Sequence, residues 1–525
     1  MSGEMGRFTV EPICTLPRGC VINAVTDDGH VLALCPGDDG RVRFCWDGSC
    51  GEPFDGLMEL RDKSWAIFAS PDGNHIAYVG QRGSELFVGH DDREDPPLQD
   101  FSRSVPPVFG ENHLAYGGRQ AGGEFRLILD GQPTGSAEVA PMAATFSADG
   151  ERLAYAEMRG ESQADLEYRI VLDGQPGAWF RGMRNAAGAM QFSPDGKRFA
   201  YYTIDGKGHA QWFVDGVGQR VFNDVRPLNL ATIRGVGVVD PPLPARFSPD
   251  GRRFAYFADV VEKGVAIIED DKPGPLFKGV GLPVFSPDSR HLAYAGETFN
   301  KTMALVLDDA IVGEWPANGS GQPIFSPDGA RVAMMLERKE GGLFGKHSVW
   351  SLVVDGQRLG DEPGEDSSAY PTFSPTGDRV ASWIQRKGGH AALVVDGVAQ
   401  ETPWSVDSDP RFDSQGRLVY AAKIGASKTV VVDGQPGPTA DEIVSFRTLY
   451  EVFGRDPWQG SPTPLRMTPG DHVAWGGQFG EKFCPVFDDE VGPAFDTIVG
   501  CRVDVGVVRW WVQRDETAYR VERAL

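Results

Sequence analysis

The sequence predicts an all-β chain of about twelve repeated four-stranded units, and three observations carry that reading. A motif of the form FSPDGxRxAY recurs along the chain. A second signal, a short apolar run ending in Asp-Gly or Asp-Asp, recurs between copies of the first. The 66 Gly and 38 Pro among 525 residues supply turns in the number that such a chain needs.

The first motif begins as VTDDGHVLAL at Val25, FASPDGNHIAY at Phe68, FGENHLAY at Phe109, FSADGERLAY at Phe146 and FSPDGKRFAY at Phe192. It continues as FSPDGRRFAY at Phe247, FSPDSRHLAY at Phe285, FSPDGARVAM at Phe325, FSPTGDRVAS at Phe373, FDSQGRLVYA at Phe412 and MTPGDHVAW at Met467. Successive copies lie 37 to 55 residues apart, near the period of about 40–50 residues of a four-stranded propeller blade. Within each copy Phe closes a first strand, Ser-Pro-Asp-Gly turns, and Leu-Ala-Tyr or its equivalent opens a second. Pro presets φ, Asp bonds its own backbone and Gly takes a positive φ.

The second signal reads RFCWDG, LILDGQ, IVLDGQ, WFVDGV, LVLDDA, LVVDGQ, LVVDGV and VVVDGQ in chain order. Asp-Gly between apolar runs predicts a type I′ hairpin joining a third strand to a fourth. The unit is then a blade of a β-propeller, and blades stacked face to face explain strands that are apolar on both sides. After GPAFDTIV, the C-terminal sequence offers three further strands around CRVD, VVRWWVQR and AYRVERAL. Their fourth is expected from GRFTVEPICTL at the other end, so that the two ends of the chain complete one blade and hide an edge.

These FSPDGxRxAY units resemble the WD-like repeats of TolB-type proteins and of the propellers that precede prolyl peptidases. The resemblance runs from about residue 20 to the end. It implies a β-propeller and little about activity, since such propellers serve as scaffolds, gates and binding platforms. The peptidase members' catalytic triad has nothing here to map onto.

The two longest intervals contain residues 222–244 and 445–465. If the chain crosses between domains there, residues 1–225 with 460–525 form a first propeller of about seven blades, and 240–445 an inserted one of about five. Six plus six blades, or one large ring, are the alternatives.

Residues 445–465 are also the expected contact surface. Phe446, Tyr450, Phe453 and Trp458, with Arg447 and Arg455, form the aromatic and arginine set typical of interface anchors. Ile443, Phe446, Leu449, Tyr450 and Phe453 fall on one side of a short helix ended by Gly454. The expected function is therefore a non-enzymatic scaffold that binds another protein, as a subunit of an assembly. A propeller enzyme, or a small-ligand or peptide sensor using the axial channel, is the alternative.

Other classes are disfavoured. A net charge of −23 gives no general basic face for nucleic acid. No apolar run is long enough to span a membrane, and MSGEMGRFTVEPICTLP lacks the pattern of a signal peptide, so a cytoplasmic location is expected. No GxSxG, HExxH, P-loop or GxGxxG motif is present, hence no enzyme and no cofactor are expected. His75, His113, His291 and His472 share a repeat position with Arg152, Arg198, Arg253, Arg331 and Arg379. A position open to Arg is not a metal ligand, and a polar side chain pairing with a turn Asp, or capping the blade edge, fits it better. GHDDRED (89–95) reads as a solvated loop, and Asp409 in SDPR is the one carboxylate just before an anchor. The cysteines, Cys14, Cys20, Cys35, Cys45, Cys50, Cys484 and Cys501, all lie near the two ends and share one neighbourhood if those ends meet. They are expected to be buried, reduced thiols, with a disulfide or metal cluster as the lesser alternative.

Overall fold

The Asp-Gly pairs fold as tight hairpins because both residues take positive φ. In the computed structural model Asp130 and Gly131 stand at 51° and 74°, Asp173 and Gly174 at 50° and 76°, and Asp433 and Gly434 at 48° and 78°. This is the backbone of a type I′ turn, whose twist matches that of the strands it joins. Asp270 and Asp271 do the same at 45° and 66°, Asp being one of the few residues with a side chain that enter this region.

The structure describes residues 8–525 except 27, 38, 60–65, 137, 163–164, 184–188, 206–209, 220–244, 261–262, 343–344, 366–369, 388–389, 445–464, 468–470 and 505. Among the described residues there is no α-helix, and the strands form eleven antiparallel sheets. The chain divides into two units, Met1–Phe180 with Pro438–Leu525, and Arg181–Gly437.

In the first unit the sheets span residues 21–50, 56–134, 140–176 and 442–491, with one more made from the two ends of the chain. In the last, the strand Phe8–Thr15 pairs antiparallel with Thr517–Ala524, from Phe8 opposite Arg523 to Thr15 opposite Thr517. Thr517–Ala524 pairs in turn with Val507–Arg514, and that strand with Thr497–Asp504. One strand from the start of the chain thus completes three from its end. The 56–134 sheet has ten strands, yet its halves meet through the single pairing of Leu98 with Leu86.

The second unit holds sheets over 190–218, 245–273, 279–315, 319–364, 372–399 and 405–436. Five-stranded sheets differ from four-stranded ones only in a first strand cut in two. Gly279–Val280 and Val284–Phe285, for instance, both pair with Leu292–Glu297.

Apolar residues on both faces of a strand are buried because each unit stacks its sheets. Ile76–Tyr78 and Val79 are buried without alternation, and the Phe44 ring of one sheet stacks on Tyr78 of the next at 3.6 Å. The sheet formed by the chain ends is covered on both faces. Phe8 and Trp510 join Ala474 and Phe487 on one side, while Ala518 meets Cys20, Ile22, Val31 and Cys45 on the other.

The boundaries expected near 225–240 and 445–460 fall on residues outside the described ones, and the division into units runs at 180/181 and 437/438. The 190–218 sheet belongs with the second unit because Trp212 packs on Phe254 and Tyr256 of the 245–273 sheet, ring centroids 5.3 and 6.3 Å away. Residues 445–464 do not link two sheets. Glu442–Val444 and Leu465–Met467 both pair with Val473–Phe479, so the chain leaves one strand and returns to it.

Candidate functional site

Phe446, Arg447, Tyr450, Phe453, Arg455 and Trp458 lie outside the described residues, as does the insertion 222–244. What is described are the anchors of the longer-noted segment. Val444 pairs with Gly476 and Leu465 with Trp475, so the segment's two ends stand on adjacent positions of one strand. Ile443, expected on a helix, is a buried strand residue opposite Gly477. The helix signal failed there because the apolar spacing ran across a strand end.

The FSPDG turn is a backbone device. Ser248, fully buried, donates its hydroxyl to Asp250 Oδ1 at 2.6 Å and accepts the Arg253 N–H at 2.9 Å. Asp250 Oδ1 also accepts the Arg252 N–H at 3.0 Å, and Gly251 closes the turn at φ 70°. The Ser248 hydroxyl is the largest cause holding the Asp250 carboxyl below its usual range, followed by the Arg252 N–H. Asp195, Asp288 and Asp328 are held low in the same way, each by the serine two residues earlier.

The position shared by His and Arg joins one blade-like sheet to the next. His75, His113, His291 and His472 place Nδ1 2.8, 2.7, 2.6 and 2.6 Å from Asp91, Asp130, Asp308 and Asp488, the hairpin aspartates of their own sheets. Arg198 and Arg331 donate Nε to Asp215 and Asp355, each at 2.8 Å, while Arg253 meets Glu269 instead. The other oxygen of each of those aspartates accepts the next backbone N–H, as Asp91 Oδ1 does from Ile76 at 2.9 Å. The same side chains also reach the following sheet. His113 stacks on Phe146, and the Arg253 and Arg331 guanidiniums lie over Phe285 and Phe373 at 5.1 and 5.9 Å, while His75 stacks on Phe109 in the other half of its own ten-stranded sheet. Both the imidazole and the guanidinium present a planar donor to an acidic side chain and a flat face to a phenylalanine, which explains their interchange.

The remaining carboxylates noted in the sequence are engaged. Within 89–95, Asp91 holds His75, Glu94 holds Arg82, and Asp95 accepts the Tyr116 hydroxyl at 2.9 Å. Asp409 accepts the Trp383 indole N–H at 2.8 Å. Besides Asp413 of the FDSQG turn, which holds Arg417 at 2.7 Å, two buried acids lie in second strands and were not singled out by sequence. Glu157 takes the Arg169 guanidinium at 2.6 Å, and Glu337 takes Lys339 and Ser348 at 2.7 Å each. A lone acid inside an otherwise apolar second strand was the available signal. Each is balanced by its own cation, as a buried charge must be.

The cysteines depart from the expectation of seven reduced thiols. Cys20 is bonded to Cys35 and Cys45 to Cys50, while Cys14, Cys484 and Cys501 are free. The 21–50 sheet makes this possible: Cys45 stands opposite Cys50, and Cys35 two positions along from Cys45's other neighbour, Ala33. Burial, then the charge of Asp47, pushes the Cys14 thiol up to about 11. Burial also raises Cys484.

Repeated antiparallel four-stranded sheets, turned by Asp-Gly hairpins and stacked in series, define an all-β, propeller-like protein. No family profile matches the sequence, and no curated protein matches it. Among solved structures the chain is similar to the β-propeller domain of the Trilobed protease from Pyrococcus furiosus, at 14% identity and TM-score 0.23, covering 72% of this chain and 93% of that one. It is similar to the hydrazine synthase of Kuenenia stuttgartiensis at 13% and 0.24, covering 58% and 99%. A third is the GH74 enzyme of Niastella koreensis, at 11% and 0.25, covering 98% and 99%. These three are enzymes or a part of one, against the expectation that this chain is not an enzyme, and at TM-scores of 0.23 to 0.25 they carry no argument about its activity. Repeats that fill a chain do not by themselves exclude catalysis. At these scores the likenesses assign no activity.

Proposed function

We propose that this chain is a WD-like, TolB-type repeat propeller with six blades in each unit, and that it binds another protein as a subunit of an assembly. The blade count follows from reading the ten-stranded sheet as two blades joined at one residue pair, beside four other sheets in the first unit and six in the second. The binding role rests on one observation. Residues 445–464 leave and re-enter a single strand at neighbouring positions, where the 279–315 sheet bridges the same break with residues 281–283 alone. The sheet needs no such excursion, and Phe446, Arg447, Tyr450, Phe453, Arg455 and Trp458 all fall within residues 446–458 of it. Long loops on a rigid scaffold are where contacts concentrate, and aromatic residues with arginine are the usual anchors.

The test is affinity purification from the native host with two variants. Replacing residues 445–464 by Gly-Leu-Pro, the sequence of 281–283, should keep the melting temperature and lose a stoichiometric partner captured by the unaltered chain. Tyr450→Ala with Trp458→Ala should do the same. Retention of the partner by both variants, or the lack of any stoichiometric partner, would defeat the reading.

A further inference from the structure

Four of the seven cysteines lie in or beside the 21–50 sheet, and the sulfurs of three of them converge. Cys20, Cys35 and Cys45 are each buried, at 4%, 4% and 0% exposure, and their sulfur atoms all lie within 4.8 Å of one another. Cys50 is bonded to Cys45. The Sγ atoms of Cys35 and Cys45, which belong to different disulfides, stand 3.1 Å apart. That is closer than the ordinary contact of about 3.5–4.0 Å between non-bonded heavy atoms. Two completed disulfides have no thiol hydrogen to share and no reason to press sulfur on sulfur.

We propose that in its reduced form this cluster is a thiolate site for a soft divalent cation such as Zn²⁺, with Cys20, Cys35, Cys45 and Cys50 as ligands. Tetrahedral zinc with Zn–S bonds of about 2.3 Å sets its sulfurs about 3.8 Å apart, inside the 4.8 Å within which the Cys20, Cys35 and Cys45 sulfurs lie. Thiolates select zinc and its soft relatives over magnesium or calcium. The surroundings suit a structural ion. Leu16, Ile22, Val31, Ala33 and Ala518 enclose the cysteines in an apolar cluster that excludes water. That cluster joins the 21–50 sheet to the sheet made by the chain ends, so the ion would fasten a seam between sheets.

The chemistry balances as two alternative states. Opening both disulfides takes up four electrons and four protons, two of each per bond, which a phosphine supplies with water as it becomes the phosphine oxide. The cation then displaces the four thiol protons into solution. Disulfide formation and metal binding compete for the same sulfurs.

The whole chain is reduced with a phosphine, desalted without oxygen and titrated with Co²⁺. About one equivalent should bind, with thiolate-to-cobalt charge transfer in the near ultraviolet and the visible bands of a tetrahedral ion, and Zn²⁺ should bleach both. Cys20→Ser and Cys45→Ser should lose this spectrum, and Cys484→Ser should keep it. Should the first two variants fail to fold, the unaltered reduced chain still decides. Zn²⁺ should slow alkylation of the four cysteines, mapped by mass spectrometry, and leave Cys14 unchanged. A reduced, folded chain that gives no such spectrum, or whose four cysteines alkylate equally with and without Zn²⁺, would show the cluster to be disulfides alone and overturn the proposal.

Discussion

The shared His and Arg position shows how one side chain serves two sheets. His75 holds Asp91 of its own hairpin and lies on Phe109 in the other half of the ten-stranded sheet, and His113 likewise lies on Phe146 of the next sheet. The hydrogen bond to Asp91 is the largest cause shifting His75, and it raises the imidazole above its ordinary value; burial opposes it, and the charges of Asp91, Asp72 and Asp28 add to it. A raised folded value means that the contribution is fully present below the unfolded value of about 6.5 and fades as pH rises through the folded one. His75→Gln should therefore cost more stability at about pH 5.5 than at about pH 8.5. Denaturant midpoints of both proteins at the two pH values check this, and an equal gap would refute it. Sequence reading saw the interchange and inferred a turn aspartate as partner. It did not see that the partner is the hairpin Asp rather than the FSPDG Asp, because only the antiparallel register brings the end of the third strand beside the start of the second.

At the level of the element, the hairpins were legible and the split first strands were not. Asp-Gly announces itself because two successive positive φ values admit few residues. Gly434 isolates that effect: it stands at φ 78° with nothing within 4 Å of where a Cβ would sit. Gly434→Ala should cost about 1–2 kcal/mol from backbone conformation alone, read as a lowered melting temperature with unchanged strand content. A neutral substitution would mean that the turn relaxes. The break between Glu442–Val444 and Leu465–Met467 is invisible in sequence, since both pieces look like ends of separate strands until they are seen to share Val473–Phe479. The disulfides were hidden for a related reason. Spacings of 15 and 5 residues say nothing of which cysteines face each other; the sheet's register does.

For the molecule as a whole, the meeting of the chain ends was the long-range feature open to sequence reading, because three strands at one end lacked a fourth. The packing of the 190–218 sheet on the 245–273 sheet was not, since Trp212, which makes it, is no different in sequence from other core aromatics. Phe8, 1% exposed and 5.9 Å from the Trp510 ring, anchors the strand that completes the end sheet. Phe8→Ala should cost about 3–5 kcal/mol, with association visible by light scattering as Thr517–Ala524 loses its cover. A monomeric variant of unchanged melting temperature would contradict this. The same pairing sets an order of events during synthesis. Phe8 leaves the ribosome long before Arg523, its partner across the sheet, and at about 5–20 residues per second the wait is on the order of a minute. Through that interval the first strand is a bare edge among growing sheets, and the last sheet can close only after nearly the whole chain has been made.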